Sequence, residues 1–352
     1  MSANIDGAYS ALRHAGGRRV VAPRRLYTLR LLVTLALSIG VAPVISEAQR
    51  AAHMPRVAFL DPGSPTSPQV CPAGFRQGLR DLGYVEGQNV VIESRYAEGQ
   101  LTRLPALAAE LVHLAPDIIW THSTEATQAV KQATTTIPIV IGVESNVVEA
   151  GLVASLARPG GNLTGMELRD IELTGKRLQL LKDAVPTIAR VALLVDPTLP
   201  NQARVPGNIE SEARALGVQL QRVEADSPNT FEAAFAAIVE GGADALLIME
   251  GATFARNRQR LLDLARLHRL PTMSGGRHFA EAGSLVSYGA DVRELCQRSA
   301  VLVDKILKGA KPSDLPVERA DKFYLVVNLK TAQALGLTLP PTFLAQADEV
   351  IR

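Results

Sequence analysis

Short apolar runs alternate with amphipathic stretches over most of the chain. The run 56–60 is typical of a buried strand, and the stretch after it repeats Phe75, Leu79 and Leu82 at helical spacing. Gly83 follows as a residue suited to end that helix. The pattern therefore predicts a strand followed by a helix, and similar pairs recur towards the C-terminus.

These pairs fall into two sets. The predicted strands are 56–60, 89–93, 117–120 and 137–141, then 190–195, 218–223, 244–249, 270–273, 284–288 and 323–328. The predicted helices are 72–83, 102–113, 123–134 and 148–156, then 172–184, one ending at 217, 230–240, 254–268 and 291–308. Strands that alternate with helices indicate βαβ units and parallel sheets covered on both faces. The predicted fold class is therefore α/β, with two doubly wound parallel-sheet lobes.

Residues 1–48 have the pattern of a secretory signal peptide. Arginines precede an apolar run over 31–45, and Ser46-Glu47-Ala48 has the small-x-small form of a cleavage site. A membrane-spanning helix is the alternative, but the run is shorter than the ~20 residues that a bilayer needs, and Pro43 interrupts it. No cysteine directly follows Ala48, so we expect a periplasmic protein without a lipid anchor.

Net charge indicates little about binding partners once this segment is set apart. The 352 residues carry a formal net charge of +2. The first 48 residues hold six arginines against Asp6 and Glu47, so they supply +4 and the remainder carries −2. No basic run with interleaved aromatic residues follows, so we expect no nucleic-acid partner.

Catalytic and cofactor-binding motifs are missing from the sequence. It contains no G-x-S-x-G, no phosphate-binding G-x-x-x-x-G-K-[ST], no H-E-x-x-H and no G-x-G-x-x-G after the first strand. The histidines are scattered without the spacing of metal ligands, and His122, at a strand-to-helix junction, is predicted to be solvated. We therefore expect neither an enzyme, nor a cofactor, nor a metal site.

Short polar residues follow three of the first four predicted strands. They are Ser64 and Thr66, then Ser123 and Thr124, then Ser145 and Asn146, which come after Glu144. Ligands of parallel sheets bind beyond the carboxyl ends of the strands, where helix N-termini can hold a carboxylate. The alternative is that these residues only cap the helices they precede.

The second set offers Asp196, Glu250 and Gly251 at corresponding strand ends. The carboxylates of Asp196 and Glu250 could pair with a ligand ammonium, or the two residues could cap helices. Tyr288 lies where the chain is expected to cross between lobes and could stack on a ligand, with core packing as the alternative. Trp120 ends a buried strand and is predicted to be a core residue.

Four segments resemble a known family. They are 74–90, which contains Gly83-Tyr84-Val85-Glu86-Gly87; 150–165, with Arg158-Pro159-Gly160-Gly161-Asn162; 305–318, with Gly309-Ala310-Lys311-Pro312; and 328–337. Their order and content resemble the ABC-transporter substrate-binding protein family that includes tryptophan-binding members. The resemblance covers about residues 55–350.

The resemblance implies a type I periplasmic-binding-protein fold, in which three crossovers join the lobes. The first lobe would comprise 55–165 plus 289–317, and the second 166–288 plus 318–352. It also implies closure on a small-molecule ligand and its delivery to an ABC permease in the inner membrane. We separately expect a monomer. Family members with assigned ligands bind aromatic amino acids and carry an Asp-Pro loop after the fourth strand, where this chain has Glu144-Ser145-Asn146.

The same fold suggests a pairing for the two cysteines. In a lobe of this kind the first and last helices share a face, with Cys71 beginning the first helix and Cys296 in the last. We expect them to lie close enough for a disulfide.

The function expected from the sequence is that of a periplasmic solute receptor of an ABC importer. It would capture a small metabolite, amino-acid-like or another small carboxylate, between the two lobes. Two alternatives remain open: a receptor that presents its ligand to a membrane sensor, and an enzyme on the same two-lobed fold.

Overall fold

The computed structural model describes residues 54–66, 70–199, 202 and 207–352, so the predicted signal peptide over 1–48 lies outside the described residues. The strands are β1 (Arg56–Asp61), β2 (Val91–Tyr96), β3 (Ile118–Thr121), β4 (Ile139–Ser145), β5 (Leu163–Leu168), β6 (Arg190–Val195), β7 (Gln219–Glu224), β8 (Ala245–Ile248), β9 (Thr272–Ser274), β10 (Val286–Gly289), β11 (Glu318–Arg319), β12 (Tyr324–Asn328) and β13 (Glu349–Ile351). The helices are α1 (Val70–Asp81), α2 (Leu104–His113), α3 (Thr124–Ala133), α4 (Thr174–Ala184), α5 (Gly207–Ala215), α6 (Phe231–Glu240), α7 (Ala252–Arg256), α8 (Arg258–Leu267), α9 (Arg277–Ala282), α10 (Val292–Leu307), α11 (Leu329–Leu335) and α12 (Pro341–Leu344).

The strands form two separate sheets, which confirms the predicted two-lobed α/β fold. The first sheet has the order β11-β5-β4-β3-β1-β2, and its strand pairs are all parallel. The second has the order β13-β12-β10-β9-β8-β6-β7, in which β10 and β12 run antiparallel. Apolar residues on both faces of each sheet build four clusters of buried side chains, as doubly wound sheets require.

The chain passes between the sheets three times along the described residues. It leaves the first sheet after β5, returns after β10 through α10, and leaves again after β11. By strand pairing, the first sheet keeps β5 as far as Leu168 and includes Glu318–Arg319. Both lie a few residues beyond the expected lobe boundaries at 165 and 317, and the boundaries of the lobes as whole units stay a prediction.

Two predicted helices differ from the structure. The segment 148–156 forms turns, because Asn146 and Gly151 take positive φ angles of 53° and 66° that an α-helix does not allow. The predicted helix 254–268 is divided into α7 and α8 at Asn257, whose φ and ψ of −105° and 18° are not helical. Sequence reasoning also did not delimit β5, and it missed the short elements α9, β11, α11, α12 and β13.

Trp120 lies in the core of the first lobe, as predicted, with none of its surface exposed. Its ring stacks on Phe75 with 4.3 Å between centroids, and its Nε1–H donates to Ser299 Oγ at 2.9 Å. Gly142 lies against the indole, where any Cβ would collide with the ring. The first strands, α1 and α10 are therefore tied together around one aromatic residue.

Helices α1 and α10 approach each other more closely than ordinary side chains permit. A Cβ at Gly74 or Gly78 would collide with the backbone carbonyl of Arg293 or Gln297 on α10. The same helix pair carries the two cysteines, and the structure joins Cys71 and Cys296 in a disulfide with 5.3 Å between Cα atoms.

None of the helices in the described ranges is both long enough and apolar enough to span a bilayer.

Candidate functional site

A cavity of about 180 Å³ opens between the carboxyl-end loops of the two sheets. An apolar cavity of roughly 150 Å³ holds one benzene molecule, so this space suits a single small molecule. The first lobe contributes polar side chains from the ends of β1, β3 and β4, namely Asp61, His122, Ser123, Thr124, Glu125, Glu144 and Ser145. The second lobe contributes the loop after β8 and its neighbours, namely Glu250, Gly251, Arg256, Arg258 and His278.

Asp61 and His122 form a pair at the ends of β1 and β3. His122 Nε2 lies 3.2 Å from Asp61 Oδ2, and Asp61 Oδ1 accepts the backbone N–H of Gly63 at 2.6 Å. The imidazole lies beside the rings of Phe59 and Trp120, with centroids 5.8 and 5.5 Å away, and the side chain is 19% exposed. The prediction that His122 is solvated is therefore wrong, because aromatic packing and Asp61 hold it at the cavity wall.

The end of β4 presents Glu144 to the cavity. Between Ile141 and Glu144 the register with β5 shifts by one residue, a bulge of the kind that re-aims side chains. Glu144 Oε1 accepts from Thr124 Oγ1 at 2.8 Å and from the Ser145 backbone N–H at 3.0 Å. Its Oε2 is buried and has no hydrogen-bond partner among the described residues.

Burial raises the pKa of Glu144 to about 7. The hydrogen bonds from Ser145 and Thr124 lower the pKa, and the nearby charge of Glu125 raises it further. Burial is the larger effect because taking a carboxylate out of water disfavours its charged form. At neutral pH, Glu144 is therefore a carboxyl group that a nearby positive charge would ionise.

We expect Glu144→Gln to raise the free energy of unfolding of the empty protein at pH 8 by roughly 1–2 kcal/mol. The folded protein holds this proton more tightly than the unfolded chain, so the stabilisation it supplies is present at low pH. It is lost as pH rises from the ordinary value of 4.5 towards 7. The amide cannot ionise and avoids that loss. Urea unfolding at pH 5 and pH 8 measures the difference.

Glu149, an exposed glutamate in the loop that follows β4, provides the matched control. We expect Glu149→Gln to change the free energy of unfolding by no more than about 0.5 kcal/mol at either pH. A Glu144→Gln variant that is less stable than the parent at pH 8 would contradict the role of burial.

Glu250 faces the cavity from the second lobe. Its Oε1 is buried and lacks a hydrogen-bond partner of good geometry within the described part of the chain. Burial and the neighbouring Asp170 raise the pKa of Glu250, while Arg177 and the backbone N–H groups of Gly276 and Gly275 lower it. The net direction is upward, so this carboxyl group resembles Glu144 on the opposite wall.

Arg177 connects Glu250 to the passages between the lobes. It forms a buried ion pair with Asp170, which follows β5, and its Nε donates to the carbonyl of Tyr288 in β10 at 2.7 Å. Arg177 therefore interacts both with Glu250 and with two of the segments through which the chain crosses between the sheets.

Arg258 and His278 complete the wall on the second lobe. Burial lowers the pKa of His278 to about 4, and the charge of Arg258 lowers it further against the opposing effect of Asp291. Burial also lowers the pKa of Arg258, whose Nη1 donates to the carbonyl of Ala255 at 2.8 Å. Arg258 Nε is buried without a partner in the described residues. At neutral pH the imidazole is therefore uncharged, while the guanidinium keeps its charge.

The structure brings half of the sequence-predicted site residues together at this cavity. They are Ser123, Thr124, Ser145, Glu250 and Gly251. Ser123 is also the N-cap of α3, accepting from the Ala126 backbone N–H at 3.3 Å. The predicted residues that lie outside the described lining of the cavity are Ser64, Thr66, Asn146, Asp196 and Tyr288.

Local contacts account for the positions of these other residues. The Ser64 and Thr66 hydroxyls lie 2.9 Å apart, within hydrogen-bonding distance. Asp196 is buried and accepts from the Thr198 backbone N–H at 3.0 Å within the turn after β6, so it neither lines the cavity nor caps a described helix. The Tyr288 ring packs beside Phe323 with 6.2 Å between centroids, which is the core-packing alternative.

Sequence reasoning missed most of the charged residues of the wall. Asp61 directly follows the first predicted strand, and that position could have indicated it. Arg258 and His278 had no such signal, because they lie in a helix start and a short helix that the apolar pattern did not resolve. Within the described ranges, no group of three or more His, Cys, Asp or Glu is arranged to hold a metal ion.

Two α/β lobes with a cavity between their carboxyl-end loops define a two-lobed ligand-binding protein. Residues 64–351 match the family model for ABC transporter substrate binding proteins, so the chain belongs to that family. The resemblance seen in the sequence is thereby confirmed. A family of substrate-binding proteins also agrees with the expectation that the chain is not an enzyme.

Individual relatives agree with this assignment. A tyrosine-binding protein of Clostridioides difficile is 25% identical over 264 residues, which are 75% of this chain and 76% of the relative. A solved ABC domain of Streptococcus pneumoniae in complex with L-Trp has a TM-score of 0.78 at 25% identity, covering 85% of this chain and all of the other. A conserved domain protein of Vibrio cholerae has a TM-score of 0.78 at 27% identity, with the same coverage.

Proposed function

We propose that this chain is the periplasmic solute receptor of an ABC importer. It would capture a small amino-acid-like metabolite, or another small carboxylate, between its lobes and deliver it to a permease in the inner membrane. Export by residues 1–48, without a lipid anchor, and action as a monomer belong to the same proposal. Family membership supports the transporter context, and the cavity supports a small ligand.

One observation carries the proposal: residues that line the same cavity from both lobes hold buried polar atoms without a well-formed hydrogen bond to any described residue. They are Glu125 Oε2 and Glu144 Oε2 from the first lobe, and Glu250 Oε1 and Arg258 Nε from the second. Buried polar groups without partners are costly, so native proteins rarely keep them unless a ligand satisfies them. A ligand that bonds to both walls would stabilise the closed arrangement of the lobes.

Two relatives support an amino-acid-like ligand. One is a tyrosine-binding protein, and another was solved with L-Trp. Glutamates of this cavity would bind an ammonium group, while Arg258 and the N-terminus of α3 would bind a carboxylate. Both halves of an amino acid therefore have counterparts on the walls.

A thermal-shift screen with amino acids, amines and carboxylates tests the receptor function. We expect at least one class to raise Tm, because binding to the folded state stabilises it by mass action, by about 2.7 kcal/mol at a hundredfold excess over Kd. Ala252→Trp would fill the cavity and abolish the shift, since Ala252 lines the wall.

Ala236→Trp, at an exposed position of α6, is the matched control and should keep the shift. If no compound raises Tm, or if Ala252→Trp leaves the shift in Tm intact, the chain is not a receptor that binds in this cavity. Loss of ligand uptake in cells that lack the protein would test the importer role.

A further inference from the structure

Glu144 and Glu250 face one cavity from opposite lobes. Glu144 lies at the end of β4 in the first sheet, and Glu250 follows β8 in the second. Each keeps one buried carboxylate oxygen without a well-formed hydrogen bond to any described residue, Oε2 in Glu144 and Oε1 in Glu250. Each wall of the cavity therefore carries an acidic group with hydrogen-bonding capacity left over, although Glu250 also receives the backbone N–H groups of Gly275 and Gly276.

Other charged groups around this pair leave the acids in excess. On the first lobe Glu125, Asp61 and His122 adjoin the cavity, and Asp61 already contacts His122. On the second lobe the surrounding groups are Asp170, Arg177, Arg256, Arg258 and His278. Arg177 is engaged by Asp170 and Tyr288, and burial keeps His278 neutral at physiological pH. Glu125, Glu144 and Glu250 thus outnumber Arg256 and Arg258 at the wall.

The wall also indicates what kind of ligand body would fit. Its described lining contains no Phe, Tyr or Trp, and its apolar contacts come from small or aliphatic side chains such as Val143, Leu168 and Leu199. A zwitterion with one ammonium group would place its carboxylate near Arg258 and satisfy one glutamate, but it would leave the other glutamate without a cation. A molecule with two basic nitrogens would satisfy both, because each ammonium offers three hydrogen-bond donors.

We propose that the ligand is a small dibasic molecule whose two ammonium groups are bound by Glu144 of the first lobe and Glu250 of the second. The inference rests on the receptor function proposed above and names its substrate class. A plain diamine and a dibasic amino acid share this chemistry. The second would in addition place its carboxylate near Arg258, whose Nε has no partner in the described residues.

Such a ligand would couple binding to closure. Without it, two carboxylates brought together across the cleft repel each other or must take up protons, and either effect opposes the approach of the lobes. A dication between the two carboxylates attracts both of them. Its binding is therefore more favourable when the lobes are closed than when they are open. Because the cation favours the ionised carboxylates, binding releases protons and tightens as pH rises from 6 to 8.

Isothermal titration calorimetry at pH 7.5 with diaminobutane, lysine, tryptophan and succinate tests the proposal. We expect diaminobutane or lysine to bind and tryptophan and succinate to bind more weakly or not at all. Glu144→Gln and Glu250→Gln should each raise Kd for the dibasic probe by about tenfold to a hundredfold, the range for hydrogen bonds to charged groups. Each variant should also lose part of the increase in affinity between pH 6 and pH 8.

Two exposed glutamates supply matched controls. Glu149→Gln on the first lobe and Glu240→Gln on the second should leave Kd and its pH dependence unchanged. Glu144→Gln is expected to be at least as stable as the parent at pH 8, so weaker binding by this variant would not arise from unfolding. Fluorescence of Trp120, the single tryptophan, gives a second readout because its ring lies 5.5 Å from that of His122 at the wall.

Two results would overturn the dibasic ligand: tight binding of tryptophan or succinate without binding of the dibasic probes, or dibasic binding that neither glutamine variant weakens. In both cases a bound solute that Ala252→Trp displaces would leave the receptor function standing. If no solute of any class binds, the receptor function fails together with the inference.

Discussion

Arg177→Met is expected to lower the free energy of unfolding by about 3–5 kcal/mol, the range for removing one partner of a buried ion pair. Arg177 is 2% exposed and pairs with Asp170, which is also buried. Methionine fills similar space but leaves the Asp170 carboxylate without its counterion and the Tyr288 carbonyl without its donor. Urea unfolding at pH 7.5 measures the loss.

Lys176 is the matched control, because it lies next to Arg177 on α4 and is exposed. Lys176→Met should change the free energy of unfolding by no more than about 0.5 kcal/mol. Adding Asp170→Asn to Arg177→Met should recover part of the loss, since the uncompensated charge is then removed as well. A loss below about 1 kcal/mol for Arg177→Met would contradict a stabilising ion pair at this position.

Replacing Cys71 and Cys296 together by alanine is expected to lower the free energy of unfolding by about 2–5 kcal/mol. The bond joins residues 225 positions apart, so it removes many conformations from the unfolded chain. The variant should still fold, because Gly74 and Gly78 let α1 and α10 pack closely without the bond. Denaturant unfolding of the two forms gives the difference.

Thiol titration of the denatured, unreduced protein checks the premise of this experiment. The sequence contains two cysteines, so an intact disulfide leaves no free thiol and an absent one leaves two. Reduction of the parent protein should reproduce the loss seen in the double variant. Two free thiols in protein isolated from an oxidising compartment would contradict the pairing.

Much of the fold can be predicted from the sequence because its central strands are mostly apolar. β6 begins and ends at the residues predicted from its apolar run, and α10 follows its amphipathic pattern to within one residue. The predictions fail where a single backbone angle decides, as at Asn146, or where two short helices share one apolar pattern, as at Asn257. The spacing of apolar residues indicates neither the backbone angle at Asn146 nor the helix break at Asn257.

The site is less predictable for a physical reason. Polar residues at strand ends can cap helices or face a ligand, and sequence position does not separate the two, as Ser123 at the wall and Asp196 in its own loop illustrate. The direction of Glu144 depends on a bulge in β4, which only the pairing with β5 reveals. Arg258 and His278 reach the cavity because the lobes face each other, and no local pattern records that contact.

The close packing of α1 against α10 has a consequence for how the protein is made. The first lobe lacks its last helix and edge strand until Val292–Leu307 and Glu318–Arg319 have left the ribosome, and the second lobe waits for Glu349–Ile351. At about 5–20 residues per second, synthesis takes on the order of 10–45 s to run from the end of α1 to the end of α10. During that time the glycine-lined face of α1 has no partner, and neither lobe can complete its folding before its last strand, Glu318–Arg319 or Glu349–Ile351, has been made.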